Sequence, residues 1–271
     1  MKLNLAECGD VAINVAKMAG ELAQQQRNQG LSIDAKGIQD FVTQADVAVE
    51  QLIKTQLLKH YPTDSVFGEE LGKGVDEGAS ADISKELVNQ ASDLTWVIDP
   101  IDGTTNYMKG MDYWCISIAL VRNNEILLGC VFAPDKNEMY LALKDQGATL
   151  NGKTLSNLLD VSADKVVLGI GRSNRSSFKQ YIATIEYLYA QQIDYRRFGS
   201  AALTLAQIAN GEIDGYYEAH LNSWDACAGW LIAAEAGASC SEFLSDGALE
   251  NGNRVVVANS SIYAKLNAQL V

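Results

Sequence analysis

Histidine is nearly absent from the sequence: the 271 residues include only His60 and His220. A zinc site built from several histidines is therefore excluded. The five cysteines are scattered and form no CxxC pair, so we expect reduced core thiols in a cytoplasmic protein. No G-x-S-x-G motif is present either, which favours direct attack by water over a covalent serine intermediate. A lone aspartyl nucleophile stays open at this point.

Long apolar runs and basic charge are also scarce. No window approaches the ~20 apolar residues of a membrane span, and the N-terminal segment lacks the uninterrupted apolar core of a signal peptide. The net charge of −13 argues against direct nucleic-acid binding, and the sequence pI of about 4.6 disfavours anionic membrane surfaces. Acidic charge near a site would repel a phosphorylated substrate unless cations neutralise it, so a metal is implied.

The order of apolar patterns predicts an α/β protein whose two halves share a core. Residues 7–28 predict an amphipathic helix with Val11, Val15, Met18 and Leu22 on its apolar face. Alternating apolar segments after residue 112 predict an antiparallel meander, and the remainder alternates between strands and helices. We place the boundary near residues 151–160, which gives an N-terminal α+β half (1–150) and a C-terminal α/β half (151–271).

The segment WVIDPIDGTTNYMKG, residues 96–110, carries the strongest chemical signal. An apolar strand runs into Asp99 and Asp102, and residues three apart on a strand point to opposite faces. If the two carboxylates work together, the strand should end near Asp99 and turn at Pro100. The turn would leave the Ile101 carbonyl unpaired and start a helix whose first amides suit an anion. Such a site suits Mg²⁺ and a phosphate, whereas the plain alternative is an Asp-Pro turn before a polar loop.

Further acids stand where other elements begin or end. Glu69 and Glu70 end a short predicted strand, Asp46 lies in the first turn of a predicted helix, and Asp225 begins a long apolar helix. Each has a purely structural alternative: a solvated pair, a capping-box variant and a helix-dipole partner. Taken singly, none of these acids decides between a structural and a functional role.

Five segments together resemble the inositol monophosphatase family. They are GEE (68–70), WVIDPIDGTTNY (96–107), WDACAGWLIAAEAGA (224–238), KGIQDFVTQAD (36–46) and FGSAALTLAQIANGEIDGYYE (198–218). The resemblance covers nearly the whole chain in order, and the Asp-Pro-Ile-Asp-Gly-Thr-Thr segment with a downstream Trp-Asp is highly specific. It implies a layered α-β-α-β-α sandwich of the sugar phosphatase type that is usually a dimer.

The resemblance also implies roles for individual residues. Two Mg²⁺ ions, with a third, weaker position beside Glu69, would be held by Glu69, Asp99, the Ile101 carbonyl, Asp102 and Asp225. Asp46 and Thr104 would orient and deprotonate the attacking water, and Glu69 is counted with them as catalytic. The amides of Gly103 and Thr104 would hold the phosphate. The alcohol part of the substrate would contact Gly199, Ser200, Ala201 and Glu218.

The implied activity is Mg²⁺-dependent, lithium-sensitive hydrolysis of a polyol or sugar phosphate, with inositol 1-phosphate as the first candidate. Fructose 1,6-bisphosphate, histidinol phosphate and the nucleotide substrates 3′-phosphoadenosine and NADP stay open as alternatives. A regulatory binding protein of the RNA synthesis machinery is the alternative of another class. Two departures from the family pattern are the long insertion at residues 71–93 and Leu71 after GEE. For Arg172, Arg175, Arg196 and Arg197 a phosphate or partner contact stays open as an alternative, and the solvated surface is the expected place.

Overall fold

The helices and strands follow the predicted order. The computed structural model describes residues 3–30, 33–37, 40–70, 92–155 and 165–270, and Leu71 and nearly all of the insertion at 71–93 lie outside these ranges. The helices are α1 (Leu5–Gln29), α2 (Gln44–His60), α3 (Thr104–Met108), α4 (Phe178–Ala190), α5 (Ala201–Ile208), α6 (Ser223–Glu235), α7 (Ala248–Asn251) and α8 (Ser260–Gln269). The strands of the N-terminal half are β1 (Ile33–Gly37), β2 (Asp40–Thr43), β3 (Ser65–Gly68), β4 (Leu94–Asp102), β5 (Cys115–Arg122), β6 (Glu125–Ala133), β7 (Glu138–Leu143) and β8 (Ala148–Leu150). The remaining strands are β9 (Lys153–Leu155), β10 (Val167–Ile170), β11 (Asp194–Arg196), β12 (Gly215–Leu221), β13 (Ser239–Cys240) and β14 (Asn253–Ala258).

The predicted meander forms a seven-stranded sheet in the order β3-β4-β5-β6-β7-β8-β9. All neighbours pair antiparallel except β3 and β4, which are parallel. Alternate side chains of β5 enter different cores: Ile116 and Ile118 pack in the core that includes α1 and α2, whereas Ala119 and Val121 pack in the core that includes α5 and α6. Both faces of the sheet are therefore covered by helices.

A second sheet, in the order β11-β10-β12-β14-β13, lies on the other side of α5 and α6. Its β10 pairs parallel with both β11 and β12. Its outer face packs in a third core with α4 and α8, through residues such as Leu168, Leu188 and Leu266. The layers are thus α-β-α-β-α, and the predicted fold class is confirmed. The division at residues 150/151 stays a prediction.

Helix α1 departs at one position from its predicted buried face. Its buried side chains include Cys8, Ala12, Val15 and Ala19, whereas Met18 is 41% exposed. The small residues allow the helix to approach the sheet closely: a Cβ on Gly20 would lie 2.8 Å from the Phe132 ring. The prediction holds for Val15, and Val11 and Leu22 pack against the same core, so only Met18 was wrong. Large apolar side chains were predicted there, whereas close packing of this face depends on small residues. None of the helices in the described ranges is long and apolar enough to cross a membrane.

Candidate active site

Strand β4 brings both aspartates of the DPID segment to one side by an irregularity in its pairing. Asp99 pairs with Ser117 and Asp102 with Cys115, so three steps on β4 match two on β5. Such a bulge adds one residue and reverses the alternation of side chains. Pro100 lies within the bulge, where its missing N–H is tolerated. The expectation that the strand ends near Asp99 was therefore wrong: β4 runs to Asp102, and the bulge does what the turn was expected to do.

Asp99, Asp102 and Asp225 form a compact acidic cluster. Each offers a carboxylate oxygen, and these oxygens lie within 4.8 Å of one another. Asp99 is 1% and Asp102 6% exposed, and Asp225 comes from the first turn of α6. Burial, and then the neighbouring carboxylates, raise the pKa of Asp99 and of Asp225 well above the ordinary range. The cluster is therefore poorly suited to hold its full negative charge without a cation.

The donor set of this cluster fits a hard divalent cation. One oxygen of Asp99, Oδ1, accepts the Ile101 amide at 2.9 Å. The other, Oδ2, is buried and accepts no hydrogen bond from a neutral donor among the described residues, and its neighbour Asp225 can donate to it only when one of the two carboxyls is protonated. A buried carboxylate oxygen without a donor is costly unless a positive ion contacts it. Ligands made only of oxygen suit Mg²⁺.

Asp102 is held by the first turn of α5. Its Oδ2 accepts the Ser200 hydroxyl at 2.6 Å and the Ala202 amide at 2.7 Å, and its Oδ1 accepts the Ala201 amide at 3.3 Å. These donors lower the pKa of Asp102, but burial raises it more, to about 6. Ser200 and Ala201, predicted as substrate contacts, thus fix the orientation of a proposed metal ligand in this structure.

Asp46 and Thr104 meet beside the cluster although 58 residues separate them. The Thr104 hydroxyl lies 3.3 Å from Oδ1 of Asp46 and 3.1 Å from the Ile101 carbonyl. Asp46 is buried in the first turn of α2, and Thr104 begins α3 directly after Gly103. Gly103 has φ +97°, and a Cβ there would lie 3.2 Å from the Tyr113 carbonyl, so the turn requires glycine.

Glu69 and Glu70 follow β3 and do not belong to it, since the strand ends at Gly68. Glu69 lines the same cavity as Asp102 and Asp225, and its charge contributes to the raised pKa of Asp99. The Glu70 amide donates to Oε2 of Glu50 at 2.9 Å. Glu50 is 2% exposed and was missed from the sequence. Its position four residues after Asp46, on the same helix face, was the available signal.

Glu218 lies on β12 with its carboxylate buried. The Tyr216 hydroxyl donates to Oε2 of Glu218 at 2.6 Å, yet burial raises the pKa of Glu218 to about 7. A Cβ on Gly171 would collide with both the Glu218 carboxylate and the Tyr216 hydroxyl. Glycine at 171 therefore makes room for this buried pair.

A cavity of about 380 Å³ reaches the acidic cluster at Asp102 and Asp225, whereas Asp46, Asp99 and Thr104 are not among its lining residues. Of the predicted site residues, those that line it are Glu69, Asp102, Gly199, Ser200, Ala201, Glu218 and Asp225. His220 lines it too, together with Arg172, Arg175 and Arg197. These three arginines are exposed, as predicted, and they also line the cavity, because they follow the ends of β10 and β11. Arg196 lies on the surface as predicted and forms an ion pair with Asp194.

Comparison with known proteins then decides the family. The model of the inositol monophosphatase family matches residues 4–271. This chain belongs to the inositol monophosphatase family.

Proteins that are similar to this chain carry several different names. The Nus factor SuhB of Escherichia coli (strain K12) is 35% identical over 240 residues, which cover 86% of this chain and 84% of that protein. The extragenic suppressor protein suhB from Bartonella henselae superposes with a TM-score of 0.84 at 27% identity, covering 96% of this chain and 97% of that one. The Thermotoga maritima IMPase TM1415 does so with a TM-score of 0.79 at 27% identity, covering 96% and 95%.

Proposed function

We propose that the protein hydrolyses a phosphate monoester of a polyol or sugar in a metal-dependent reaction, with inositol 1-phosphate as the first candidate. The observation that carries this proposal is the buried acidic cluster, with its unpartnered Asp99 oxygen, beside the Asp46–Thr104 pair. Family membership supports a phosphatase. The ester to be cleaved would lie in the cavity that Asp102, Asp225 and Glu218 line.

The residues that would hold two or three Mg²⁺ ions are Glu69, Asp99, the Ile101 carbonyl, Asp102 and Asp225. When bound, these ions would neutralise the negative charge of the phosphate and of the leaving alkoxide, and they would lower the pKa of the attacking water. The fixed donors on Asp102 keep its carboxylate in place whether or not a cation is bound. The one proton of the Thr104 hydroxyl is within reach of the Ile101 carbonyl and of Asp46, so a lone pair of the carbonyl is left for a cation when that proton points to Asp46.

Asp46 and Thr104 are suited to move one proton. The Thr104 oxygen takes a proton from water while its own hydroxyl proton passes to Oδ1 of Asp46, 3.3 Å away. Burial of Asp46 excludes bulk water from this relay. The amides of Gly103 and Thr104, at the start of α3, would donate to the phosphate.

The alcohol part of the substrate would contact Gly199 and Glu218 at the other proposed positions. The Glu218 carboxylate accepts one bond from Tyr216 and keeps acceptor capacity for a hydroxyl of the substrate. Ser200 and Ala201 line the same cavity but already donate to Asp102, so we assign them mainly to positioning.

The test is phosphate release from inositol 1-phosphate by the purified protein, with Mg²⁺ and after exhaustive metal removal. We expect turnover only with Mg²⁺, restored when the ion is added back, and inhibited by Li⁺. A panel that includes fructose 1,6-bisphosphate, histidinol phosphate, 3′-phosphoadenosine nucleotides and NADP ranks the alternatives by kcat/KM. Sustained turnover in excess chelator would contradict the metal-dependent mechanism, and inactivity on every ester would contradict the phosphatase proposal.

A second role, in the RNA synthesis machinery, is favoured by the name Nus factor that the Escherichia coli relative carries. An Asp102→Asn variant distinguishes this role from catalysis. The variant should lose turnover but should keep any partner-binding surface that lies away from the cavity. Binding of wild type and variant to purified RNA polymerase, compared by calorimetry, tests it. We also propose a homodimer in the cytoplasm, and sedimentation equilibrium of the purified protein checks the oligomeric state.

A further inference from the structure

Three arginines converge on the cavity from the ends of adjacent parallel strands. Arg197 directly follows β11, and Arg172 follows β10 by two residues, with Gly169 of β10 in register with Arg196 of β11. Because parallel strands end at the same edge of a sheet, both side chains start from one edge. Arg175 belongs to the loop that begins with Arg172, and all three line the cavity. We call Arg172, Arg175 and Arg197 the arginine wall.

No acid in the described residues forms an ion pair with the arginine wall. Arg172 donates only to the Asn174 side chain, at 3.3 Å. Arg175 donates to the Asn251 carbonyl at 2.7 Å and lies 3.2 Å from Nε2 of His220. For Arg197 no hydrogen bond is found within the described ranges.

Arginines without an acidic partner are unexpected in a chain that carries so many acidic residues. The protein carries a net charge of −13, and the neighbouring Arg196, outside the cavity, is paired with Asp194 at 2.8 Å. Arg197 is close enough to Glu218 to lower its pKa, but the hydrogen-bond partner of Glu218 is Tyr216. The wall is thus available to a ligand, and guanidinium groups bind phosphate and carboxylate through paired N–H donors.

Under the proposed function the scissile phosphate would lie elsewhere, at the acidic cluster and the cations that this cluster would hold. A simple polyol monophosphate would therefore leave the arginine wall without an anionic partner. We propose that the preferred substrate carries a second anionic group, a phosphate or a carboxylate on the alcohol part, which the arginine wall binds. This inference rests on the proposed phosphatase function and narrows its substrate class. The cavity of about 380 Å³ is within the usual size of small-molecule sites.

Paired substrates that differ by one anionic group test the proposal. Fructose 1-phosphate and fructose 1,6-bisphosphate form the phosphate arm, and glycerol 2-phosphate and 2-phosphoglycerate form the carboxylate arm. The quantity measured is the ratio of kcat/KM for the doubly anionic ester to that for the singly anionic ester. We expect wild type to prefer the doubly anionic ester in at least one arm.

Arg197→Gln and Arg172→Gln should lower this ratio by roughly tenfold or more, as expected for loss of a charge-assisted hydrogen bond. Arg175→Gln should have a smaller effect, since its guanidinium also holds the Asn251 carbonyl. Arg196→Gln is the matched control, because it removes the same charge one residue away but outside the cavity. Its ratio should equal that of wild type.

An unchanged ratio in Arg197→Gln and Arg172→Gln, or an equal loss on both esters of a pair, overturns the proposal. Hydrolysis of no ester by wild type would instead contradict the proposed function. Calorimetric titration with fructose 1,6-bisphosphate and with 2-phosphoglycerate measures binding directly and tests the inference without relying on turnover. Binding weakened by Arg197→Gln but not by Arg196→Gln supports the arginine wall, and equal or absent binding refutes it.

Discussion

Asp102→Asn replaces one carboxylate oxygen by an amide nitrogen at the centre of the proposed site. Oδ2 accepts the two shorter bonds, from Ser200 at 2.6 Å and Ala202 at 2.7 Å. We therefore expect the amide nitrogen to take the place of Oδ1, where it faces the Ala201 amide, another donor, at 3.3 Å. The substitution keeps the volume of the side chain but loses one hydrogen bond and one negative charge.

These two losses act on stability in opposite directions when no cation is present. Losing the hydrogen bond to a charged acceptor costs about 1.5–3 kcal/mol. Burial raises the pKa of Asp102 from 3.8 to about 6, so its ionised form at pH 7 is disfavoured by on the order of 3 kcal/mol, a cost that asparagine removes. We expect the free energy of unfolding in chelator to change by less than about 2 kcal/mol. Mg²⁺ at a hundred times its dissociation constant should stabilise wild type by about 2.7 kcal/mol and the variant far less.

The assays are thermal unfolding in chelator and in Mg²⁺, and kcat for inositol 1-phosphate at saturating Mg²⁺. Turnover should fall at least ~100-fold, since the carboxylate holds charge that the transition state requires. Asp112→Asn is the control, because Asp112 is exposed and pairs with Lys136 on the surface. A folded Asp102→Asn protein with near-normal kcat would show that Asp102 has only a structural role and would refute this reasoning.

Three further substitutions test other parts of the site. Glu218→Gln should lower kcat/KM for inositol 1-phosphate by roughly tenfold and leave a simple aryl phosphate nearly unaffected, since only the polyol offers hydroxyls; equal losses would remove Glu218 from the specificity contacts. The stability that Glu218 contributes in chelator is complete below pH 4.5 and lost as pH rises through about 7, because its pKa is raised from 4.5 to about 7. Between pH 4.5 and pH 8 the free energy of unfolding should therefore fall more in wild type than in Glu218→Gln, by on the order of 3 kcal/mol. Identical pH curves for the two proteins would contradict the assigned burial of Glu218. Gly103→Ala should destabilise the fold by about 1–2 kcal/mol, because φ +97° disfavours a Cβ, and denaturant unfolding with no change would contradict this. Gly171→Ala should displace the Glu218 carboxylate and raise KM for inositol 1-phosphate with little change for the aryl phosphate, and unchanged kinetics would show that the pair tolerates a Cβ.

Several properties could be predicted from the sequence because they depend on local composition. The alternation in β5 and β6 predicted the meander, and the apolar period in residues 224–236 predicted α6. The DPIDGTT segment predicted two cooperating aspartates next to a helix start, although a bulge in β4 brings them together in place of the expected turn. The two isolated histidines excluded a zinc site built from several histidines.

Other properties were decided by the tertiary structure. Asp99 and Asp102 share one side only because β5 pairs with β4 through a bulge, and pairing partners are not encoded in a single segment. Asp46 meets Thr104, and Glu50 meets the Glu70 amide, because α2 packs against β4, which no local pattern reports. Periodicity identifies which side chains of one element share a face, whereas the partner that this face meets is set by long-range packing.

The arginines show the same division most clearly. In the sequence Arg196 and Arg197 are neighbours of identical chemistry, and both were assigned to the solvated surface. In the structure Arg196 pairs with Asp194, whereas Arg197 lines the cavity beyond the end of β11. The sequence by itself determined the charge, the acidic motif and the fold class. The tertiary structure decided which charges face the site, because that depends on where β10 and β11 end relative to the helices between the two sheets.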